Sequence, residues 1–494
     1  MRMDNSGGRY AMAVRTGKQF LEGIRDGREV WLEGERVTDV TTHPRLARMA
    51  KTLAGVYDLQ HDAALHADMT FTSPSSGEPV ALSFLIPESY DDLLRRRRAL
   101  EIVADHAHGM LGRTPDYVNV QLTATRMAAN EFGANAPWLS ENLIAYHEYV
   151  RENDLCLTHA FGHPQVNRGA ALTEQPDPYV ATGIVESNDQ GIVVRGAKLL
   201  ATLAPFADEL YCPPYRIARA DEGMFCLGFS IPVATPGLKF ICREGYDLGG
   251  SLFDHPLSGQ YDELDALCVF DDVLVPWDRV FSYNDVELHN KLIVTSTMWR
   301  QYMQHVMVRD IAKLEFILGV AHELTEAIGI GGFAHIQEKV AEIIDTLETV
   351  RSYLRAAEVD AGPWIGEGIW LAPEPCIAMR HSWPDLYDRV VAILQQMAAG
   401  GLMLTPTEQD FLGPERPLID KYYQGANIAA NERVRLFRTV WDIIGTQFGS
   451  RSTLYERYFN GDIVRLRQGR FASYDYSRAK KSYHDFLDKL GPAP

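Results

Sequence analysis

The spacing of apolar residues changes twice along the chain, and this change most constrains the fold. Residues before about 156 have a mainly helical pattern, broken at the Gly-Arg-Thr-Pro segment of residues 112–115. Short β-branched runs separated by Gly, Pro and Asp follow, such as GIVVRG at 191–196 and ALCVFDDVLVP at 266–276. From about residue 290 apolar residues again recur at three- and four-residue steps. We therefore predict a helical N-terminal domain at 1–155, a β-domain at 156–283 and a helical domain at 284–494.

The connections between these elements narrow the fold class further. No strand in the middle region is followed by a helix of crossover length, so we expect an antiparallel barrel or sandwich. Four long helices are expected in the last region, and four in sequence indicate a four-helix bundle. They lie at roughly 296–328 with a stop at Gly329, around Val340 to Leu354, at 384–399 and at 424–445. The fold class is α+β and mostly α.

Length, charge and cysteine content exclude several classes of protein. A chain of 494 residues exceeds one hydrophobic core, so two or three closely packed domains are expected. Its 66 acidic and 48 basic residues give a charge of -18, which argues against nucleic acid or anionic membranes as partners. No apolar run is long enough to span a membrane and the start, MRMDNSGGRYAMAV, does not resemble a secretory signal, which predicts a cytoplasmic protein. The six cysteines form no CxxC pair, so we expect them to be reduced and mostly buried.

Two short motifs resemble cofactor sites without their required context. GIGGFA at 329–334 has the spacing of a dinucleotide fingerprint, but a long helix and not a strand precedes it, so we interpret it as a helix stop. HAH at 106–108 and HEL at 322–324 lack a second ligand at helical spacing, so no metal site is predicted. No nicotinamide-binding unit is predicted. If the chain is a redox enzyme, its electrons therefore come from another protein.

Two irregular segments contain the strongest candidates for catalysis. Pro115 ends a helix in GRTPDYVN, which puts Arg113 and Tyr117 on an irregular stretch with a fork of guanidinium donors beside a phenol. His159 lies in LTHAFGHPQVNR, where the helical pattern changes to the β pattern, and an imidazole there could serve as a general base. Each residue alone is more often structural than functional.

Together the segments resemble a known family over nearly the whole chain. They are GRTPDY at 112–117, LTHAFGHPQVNR at 157–168, VVRGAKLLAT at 193–202, FDDVLVPWDRVF at 270–281, HIQEKVAEII at 335–344 and FGSRSTLYERYFNGD at 448–462. The family is that of the large oxygenase component of 4-hydroxyphenylacetate 3-monooxygenase. The resemblance implies an acyl-CoA-dehydrogenase-like fold with a β-barrel, assembled as a homotetramer or homodimer. It also implies FAD, reduced by a separate NAD(P)H-dependent flavin reductase, and molecular oxygen as co-substrate.

The resemblance assigns the reacting residues. Arg113, Tyr117 and His159 match the residues that surround the phenolic oxygen and the flavin in relatives. The reaction implied is ortho-hydroxylation of a para-substituted phenol to a catechol through a flavin hydroperoxide, the phenol being 4-hydroxyphenylacetate-like, tyrosine-derived or a halophenol. His159 would take the phenolic proton, Arg113 would stabilise the developing phenolate, and Tyr117 would orient it.

Further residues are assigned to FAD and to substrate by the same resemblance. Gln165, Val166, Asn167, Thr202, Phe448, Gly449, Ser450 and Arg451 are expected to contact FAD together with Arg113 and His159. Arg451 would reach the pyrophosphate across a subunit boundary, or else form an intersubunit salt bridge.

The substrate assignment is weaker because the chain departs from the family there. Ala234 and Thr235 occupy the stretch that holds the substrate carboxylate in the phenylacetate enzymes, and Ala234 lacks the hydroxyl expected there. The loop from Tyr211 to Gly223 is expected to be a substrate lid.

Three alternatives remain. The first is a different aromatic substrate from secondary metabolism. The second is a lyase like 4-hydroxybutyryl-CoA dehydratase, although its cluster cysteines are not seen before GRTPDY at 112–117. The third is a flavin-binding scaffold that has lost activity.

Overall fold

The N-terminal region of the computed structural model is helical, as the sequence pattern predicts. The structure describes residues 14–295 and 298–491. The predicted absence of a secretory signal concerns residues 1–13, and the predicted start of a helix at 296 falls in the other gap, so both lie outside the described residues. The helices are α1 Gly17–Gly23, α2 Ala47–Leu59, α3 His66–Met69, α4 Tyr90–His106, α5 Pro115–Met127, α6 Ala129–Phe132 and α7 Pro137–Glu152.

The middle region is built from strands that pair in two main sheets. The strands are β1 Glu29–Leu32, β2 Glu35–Val37, β3 Thr70–Thr72, β4 Pro79–Ala81, β5 Leu157–His159, β6 Gly183–Ser187, β7 Gly191–Thr202, β8 Glu209–Cys212, β9 Leu227–Pro232, β10 Leu238–Cys242, β11 Asp265–Pro276 and β12 Val280–Tyr283. A six-stranded sheet has the order β2-β1-β10-β11-β7-β6, and a four-stranded sheet has the order β12-β9-β8-β5. A short helix, α8 Ser258–Tyr261, precedes β11.

The prediction of a purely antiparallel sheet is wrong at two places. Strand β1 pairs in parallel with β10, and β5 pairs in parallel with β8. The first parallel pair arises because the hairpin β1–β2, which precedes most of the N-terminal helices, adds to the edge of the middle sheet. The second arises because β6 and β7 pair in the other sheet before the chain returns to β8. The connection between two parallel strands can therefore run through a whole domain or a hairpin as well as through a single helix.

The C-terminal region contains the predicted bundle. Its helices are α9 Val286–Thr295, α10 Trp299–Ala327, α11 Ala334–Val359, α12 Pro373–Ala398, α13 Glu408–Leu412, α14 Arg416–Tyr422, α15 Ala430–Ile444, α16 Gln447–Tyr458, α17 Ile463–Ser473 and α18 Ser477–Leu490. Helices α10, α11, α12 and α15 pack against one another as the bundle. Gly329 has a φ of 68°, a left-handed conformation typical of the residue after a helix, so GIGGFA is a helix stop.

One helix boundary in the bundle differs clearly from the prediction. The third long helix begins at Pro373, eleven residues before the predicted start, and Pro384 lies inside it. Proline removes one helical hydrogen bond, but Trp383 and Tyr387 beside it are fully buried, and their packing offsets that loss. The last bundle helix begins at Ala430 rather than near 424.

Apolar residues from all three regions form one continuous core. Phe20 in the N-terminal region, Phe229 in the sheets and Leu347 in the bundle belong to the same buried cluster. Five of the six cysteines are buried and all six are free, as predicted. Among the described residues no helix is both long and apolar enough to cross a membrane. The fold class predicted from the sequence, α+β and mostly α, is confirmed, whereas the three domain boundaries stay a prediction.

Candidate active site

The segment with Arg113 and Tyr117 enters the core at the start of α5. Pro115 occupies the first turn of α5, where the missing N–H of proline removes no helical hydrogen bond. All residues of α5 except Arg126 are buried. Gly112 allows the approach, because a Cβ there would lie 2.4 Å from the ring of Tyr455. The chain therefore brings Arg113 into the protein interior between α5 and α16.

His159 lies beside this segment at the end of β5. Its ring meets the ring of Tyr117 edge-on, with centroids 5.7 Å apart, and packs against Phe161 at 4.3 Å. Its Nδ1 is 2.6 Å from Oε1 of Gln121 on α5. Because an amide oxygen only accepts, Nδ1 carries the hydrogen and Nε2 is left with a lone pair. The imidazole is thus oriented as an acceptor at Nε2.

The guanidinium of Arg113 is enclosed by aromatic rings. Its central carbon lies 4.0 Å from the centroid of the Tyr117 ring and 5.1 Å from that of Tyr455. Nη1 donates to the carbonyl of Gly112 at 3.0 Å and to the hydroxyl of Tyr455. Nε is buried and makes no hydrogen bond within the described chain. Arg113 is therefore a buried cation whose Nε–H is still available to a ligand.

A layer of carboxylates connects Arg113 to the C-terminal helices. The backbone N–H of Arg113 donates to Oε1 of Glu263, and Arg451 donates to Oε2 of the same carboxylate at 2.8 Å. Arg451 also binds both oxygens of Asp265, at 2.6 and 2.9 Å, and Thr202 donates to Asp265 at 2.7 Å. One hydrogen-bonded network thus joins Arg113, Thr202 and Arg451.

Burial sets the protonation of the aromatic and imidazole groups. Burial, followed by the positive charge of Arg113, lowers the pKa of His159 well below its ordinary value, so the imidazole is neutral near pH 7. Burial raises the pKa of Tyr117 well above its ordinary value and that of Tyr455 to about 12. Both phenols therefore keep their protons. The site combines a neutral acceptor, two neutral hydroxyls and a permanent cation.

The residues expected to hold FAD around the β-domain lie on a ribbon beside His159. Thr202 ends β7, and its carbonyl accepts a hydrogen bond from Thr158, the neighbour of His159, at 2.6 Å. Leu200 and Leu203 on either side of Thr202 have φ values of 63° and 69°, a left-handed backbone that is costly for leucine. Leu200 is nevertheless 66% exposed. Strain and an exposed apolar side chain next to a buried polar cluster mark this ribbon as a surface for a ligand.

The predicted loop of Gln165, Val166 and Asn167 is exposed at the end of the same ribbon. Gly162, just before it, pairs with Leu199 on β7, and Val166 is 62% exposed. Asn167 is used locally, since its carbonyl accepts from Gln175 and its side chain from the N–H of Gly169. The loop therefore offers an apolar side chain and the Gln165 amide at the edge of the candidate site.

The C-terminal residues predicted to reach FAD form the start of α16. Phe448 is buried in the core, and Gly449 lies so close to Ile443 that a Cβ would approach its carbonyl to 2.6 Å. Ser450 is exposed. Within this chain Arg451 donates to Glu263 and Asp265, so its partners are intrachain carboxylates, and the alternatives of an intersubunit salt bridge or a pyrophosphate contact stay predictions.

Ala234 and Thr235 are not brought together with the other candidates. They form a turn after β9, in which Thr235 donates to the carbonyl of Pro232 at 2.6 Å. In the four-stranded sheet His159 pairs with Tyr211, and Tyr211 pairs with Ser230. Ala234 lies beyond the end of β9 at Pro232, in this turn. The assignment of Ala234 and Thr235 to substrate stays a prediction.

Several residues of this site were not found from the sequence. Gln121 orients His159, and Tyr455 and Glu263 hold Arg113. His305 packs edge-on against Tyr117 with ring centroids 5.1 Å apart. Gln121 could have been suspected, because it follows Tyr117 by four residues and so shares its face of α5. The others come from distant parts of the chain. Among the described residues the one group with possible metal-ligand spacing is His322, Glu323 and Glu326, all exposed and far along the bundle.

Comparisons with known proteins identify the family. A family model described as 4-hydroxyphenylacetate 3-hydroxylase N terminal matches residues 16–282, and one described as its C terminal matches 289–488. The oxygenase component of 4-hydroxyphenylacetate 3-monooxygenase from Thermus thermophilus is 41% identical over 96% of this chain and 97% of its own length. The oxygenase component of 4-nitrophenol 2-monooxygenase from a Rhodococcus species is 34% identical over 92% of this chain and 87% of its own.

Solved structures agree with the sequence matches. A crystal structure of the oxygenase component of 4-hydroxyphenylacetate 3-monooxygenase, complexed with FAD and 4-hydroxyphenylacetate, is 41% identical and superimposes with a TM-score of 0.92 over 96% of this chain and 99% of its own. An archaeal 4-hydroxybutyryl-CoA dehydratase superimposes with a TM-score of 0.86 over 97% and 96% of the two chains, but at 20% identity it shows a common fold alone. The chain therefore belongs to the 4-hydroxyphenylacetate 3-hydroxylase family and is the oxygenase component of a monooxygenase.

Proposed function

We propose that this protein uses reduced FAD and dioxygen to hydroxylate a para-substituted phenol at the ortho carbon, giving a catechol. The observation on which this proposal depends is the buried cluster of Arg113, Tyr117 and His159. It combines a permanent cation, a protonated phenol and a neutral imidazole in an environment from which water is largely excluded. These are the groups that a phenol needs in order to lose its proton while its ring attacks an electrophilic oxygen.

The residues around this cluster fit a reduced flavin. Leu200 and Val166 expose apolar surface on the ribbon beside His159, which suits the flat, largely apolar isoalloxazine ring. The unpaired Nε–H of Arg113 is a buried donor that a ligand oxygen or nitrogen can satisfy. The solved relative complexed with FAD supports this assignment. When bound, the reduced flavin with dioxygen supplies the electrophilic oxygen atom.

The protein side chains have separate tasks at the phenolic oxygen. Nε2 of His159 accepts the phenolic proton, since Nδ1 is engaged with Gln121. The low pKa of His159 makes it a weak base in the empty site, and a phenolate beside it would favour its protonated form. Arg113 stabilises the phenolate charge, and Tyr117, held between Arg113 and His305, directs a hydroxyl at the same oxygen.

Substrate choice is assigned to the loop between β8 and β9. Tyr215 on this loop is 48% exposed and packs against Phe161, which in turn contacts His159. The carbonyl of Arg216 accepts a hydrogen bond from His289 on α9. The Arg216 guanidinium forms an ion pair with the buried carboxylate of Glu222. This chain of contacts connects a partly exposed aromatic residue to the catalytic imidazole. The loop can thus act as a lid that selects the para substituent, whereas the turn at Ala234 and Thr235 lies at the other end of the sheet.

A phenolic substrate is favoured over the dehydratase reaction. That alternative requires a cluster held by three cysteines and a histidine. Across residues 14–295 and 298–491, no three cysteine or histidine side chains converge with the spacing of metal ligands.

Two kinds of partner follow from the proposal. A separate NAD(P)H-dependent flavin reductase supplies reduced FAD by diffusion, in keeping with the name oxygenase component in the relatives. Self-association as a homotetramer or homodimer is supported by α18, where no residue is buried and Tyr483, Phe486 and Leu490 form an exposed apolar stripe. Residues 463–490 contain seven basic and three acidic residues, while the whole chain carries a charge of -18, so this tail is complementary to the surface of a second copy. The cytoplasmic location stays a prediction.

The experiment that tests the proposal measures product and hydrogen peroxide together. Enzyme and reduced FAD are mixed without oxygen, then combined with oxygenated buffer and a panel of para-substituted phenols. We expect at least one phenol to yield a catechol with little hydrogen peroxide. The matched control is the same phenol with methyl groups at both ortho carbons, which should yield hydrogen peroxide and no catechol. Release of hydrogen peroxide alone with every phenol would refute the proposal.

A further inference from the structure

A small internal cavity lies behind the N-terminal end of α5. Its volume is about 40 Å³, and its polar lining comes chiefly from Gln60, Asp116, Asn119 and Asp154. These residues are at least nine-tenths buried, with exposed fractions between 2 and 9%. Apolar residues of α2 and α4 complete the wall. Arg113, Tyr117 and His159 are not among the residues that line this cavity.

The polar atoms that lack partners in this cavity are all oxygens. Both carboxylate oxygens of Asp116, Oδ1 of Asn119 and Oε1 of Gln60 make no hydrogen bond with any described residue. Two of the residues are fixed in this orientation, because Nε2 of Gln60 donates to Asp154 at 2.9 Å and Nδ2 of Asn119 donates to Ser83 at 3.3 Å. Their amide nitrogens are therefore occupied and their amide oxygens are free.

The charge around the cavity is also unbalanced. Among the described residues, the one basic group within 4 Å of the Asp116 carboxylate is Nε2 of His305 at 3.4 Å. That nitrogen is closer to the hydroxyl of Thr114, at 2.9 Å. Asp154 accepts from the backbone of Arg15 and from Gln60, while the guanidinium of Arg15 pairs with Asp208.

We propose that this cavity binds one monovalent cation of the sodium or potassium class, with Asp116, Asn119 and Gln60 as its oxygen ligands. Carboxylate and amide oxygens are the ligands that hard cations prefer. One free carboxylate and two neutral oxygens give too little negative charge for a divalent ion but suit a monovalent one. The cavity has a volume of about 40 Å³. A single water needs roughly 10–15 Å³, so the cavity accommodates such an ion with one or two waters.

The position of Asp116 gives the cation a structural task. Asp116 is adjacent to Tyr117 and one turn of helix from Asn119, so an ion bound to both would brace the first turn of α5. That turn begins directly after Arg113. Binding of the cation to the folded state alone would raise the melting temperature in proportion to its occupancy.

The test compares thermal unfolding in different chloride salts. The full-length protein is melted in sodium, potassium or choline chloride at equal ionic strength, with EDTA present throughout. We expect a saturable rise in Tm, on the order of 2 °C or more, in sodium or potassium and none in choline, which is too large to enter. Equal Tm values in all three salts would overturn the proposal, since the cavity would then hold water alone.

Two further measurements locate the effect. Asp116→Asn should abolish the salt-specific rise, whereas Asp272→Asn, the same change in an exposed ion pair with Arg195, should keep it. A rise that persists in Asp116→Asn places the ion elsewhere and refutes the site. Should Asp116→Asn not fold, crystals of the unaltered protein grown in thallium or rubidium chloride provide the decision: anomalous scattering centred between Asp116, Asn119 and Gln60 is expected, and its absence there would exclude the site.

Discussion

Removal of one hydroxyl group, in Tyr455→Phe, tests whether the C-terminal helices position the guanidinium of Arg113 for the proposed reaction. The hydroxyl accepts from Nη1 of Arg113 and donates to the carbonyl of Gly112 at 3.0 Å. Phenylalanine would keep the ring, and hence its contact with the guanidinium at 5.1 Å. The variant therefore removes the hydrogen bond while it retains the packing.

The expected magnitude follows from the charge of the donor. A hydrogen bond to a buried charged group contributes about 2 kcal/mol, so its loss should let Arg113 leave its position and lower kcat/KM about 30-fold. The reaction is followed in a single turnover with reduced FAD, oxygen and the phenol identified by the panel. Catechol and hydrogen peroxide are both quantified, and peroxide should rise as catechol falls.

A matched control lies on the same helix. Tyr458→Phe removes a hydroxyl from a residue that is 54% exposed, so kcat/KM should stay at the value of the unaltered enzyme. FAD affinity and Tm are measured for both variants to separate positioning from folding. If Tyr455→Phe retains kcat/KM and product yield to within threefold, the hydroxyl does not hold Arg113 in its reactive position.

The remaining predictions concern the other members of the network. Arg113→Lys should lower kcat/KM at least about 100-fold, because one ammonium cannot donate to Gly112, Tyr455 and a ligand in the geometry of a planar fork; near-normal turnover would remove Arg113 from the site. Glu263→Gln should lower the free energy of unfolding, measured by urea titration, by about 3 kcal/mol, because buried Arg451 loses one of its carboxylate partners. An unchanged urea midpoint would show that this ion pair does not stabilise the fold. The pKa of His159 is depressed on folding, so below pH 6.5 the unfolded state binds a proton that the folded state rejects, and stability falls as pH falls. His159→Gln should reduce this acid-side slope by up to about 1.4 kcal/mol per pH unit, and an identical slope would mean that His159 is protonated in the folded protein.

The sequence indicated part of the candidate site. The break in the helical pattern at 112–115 and the change of pattern near His159 are real boundaries, and they bring Arg113, Tyr117 and His159 together. The prediction that Pro115 ends a helix is wrong, because Pro115 begins α5 and Tyr117 lies inside that helix. Tyr455 and Glu263 are separated from Arg113 by 342 and 150 residues, and a single sequence contains no signal for such contacts. Local patterns predict local structure, whereas the partners of a buried charge are fixed by tertiary packing.

The wrong predictions have the same origin. The third bundle helix was expected at 384–399, yet it begins at Pro373 and contains Pro384, because the buried side chains around this proline outweigh the lost hydrogen bond. The parallel pairing of β1 with β10 joins residues more than 200 positions apart. In each case a long-range arrangement decides the outcome.

The contact between Gly112 and Tyr455 also bears on biosynthesis. Arg113 is among the first quarter of the residues to leave the ribosome, but the ring and hydroxyl that enclose it arrive with the last tenth of the chain. A nascent polypeptide that lacks α16 therefore leaves the guanidinium of Arg113 without the ring and hydroxyl that enclose it. The protein therefore becomes able to catalyse its reaction only when nearly the whole chain has been synthesised. A product truncated before α16 should be unable to hydroxylate, however well its earlier parts fold.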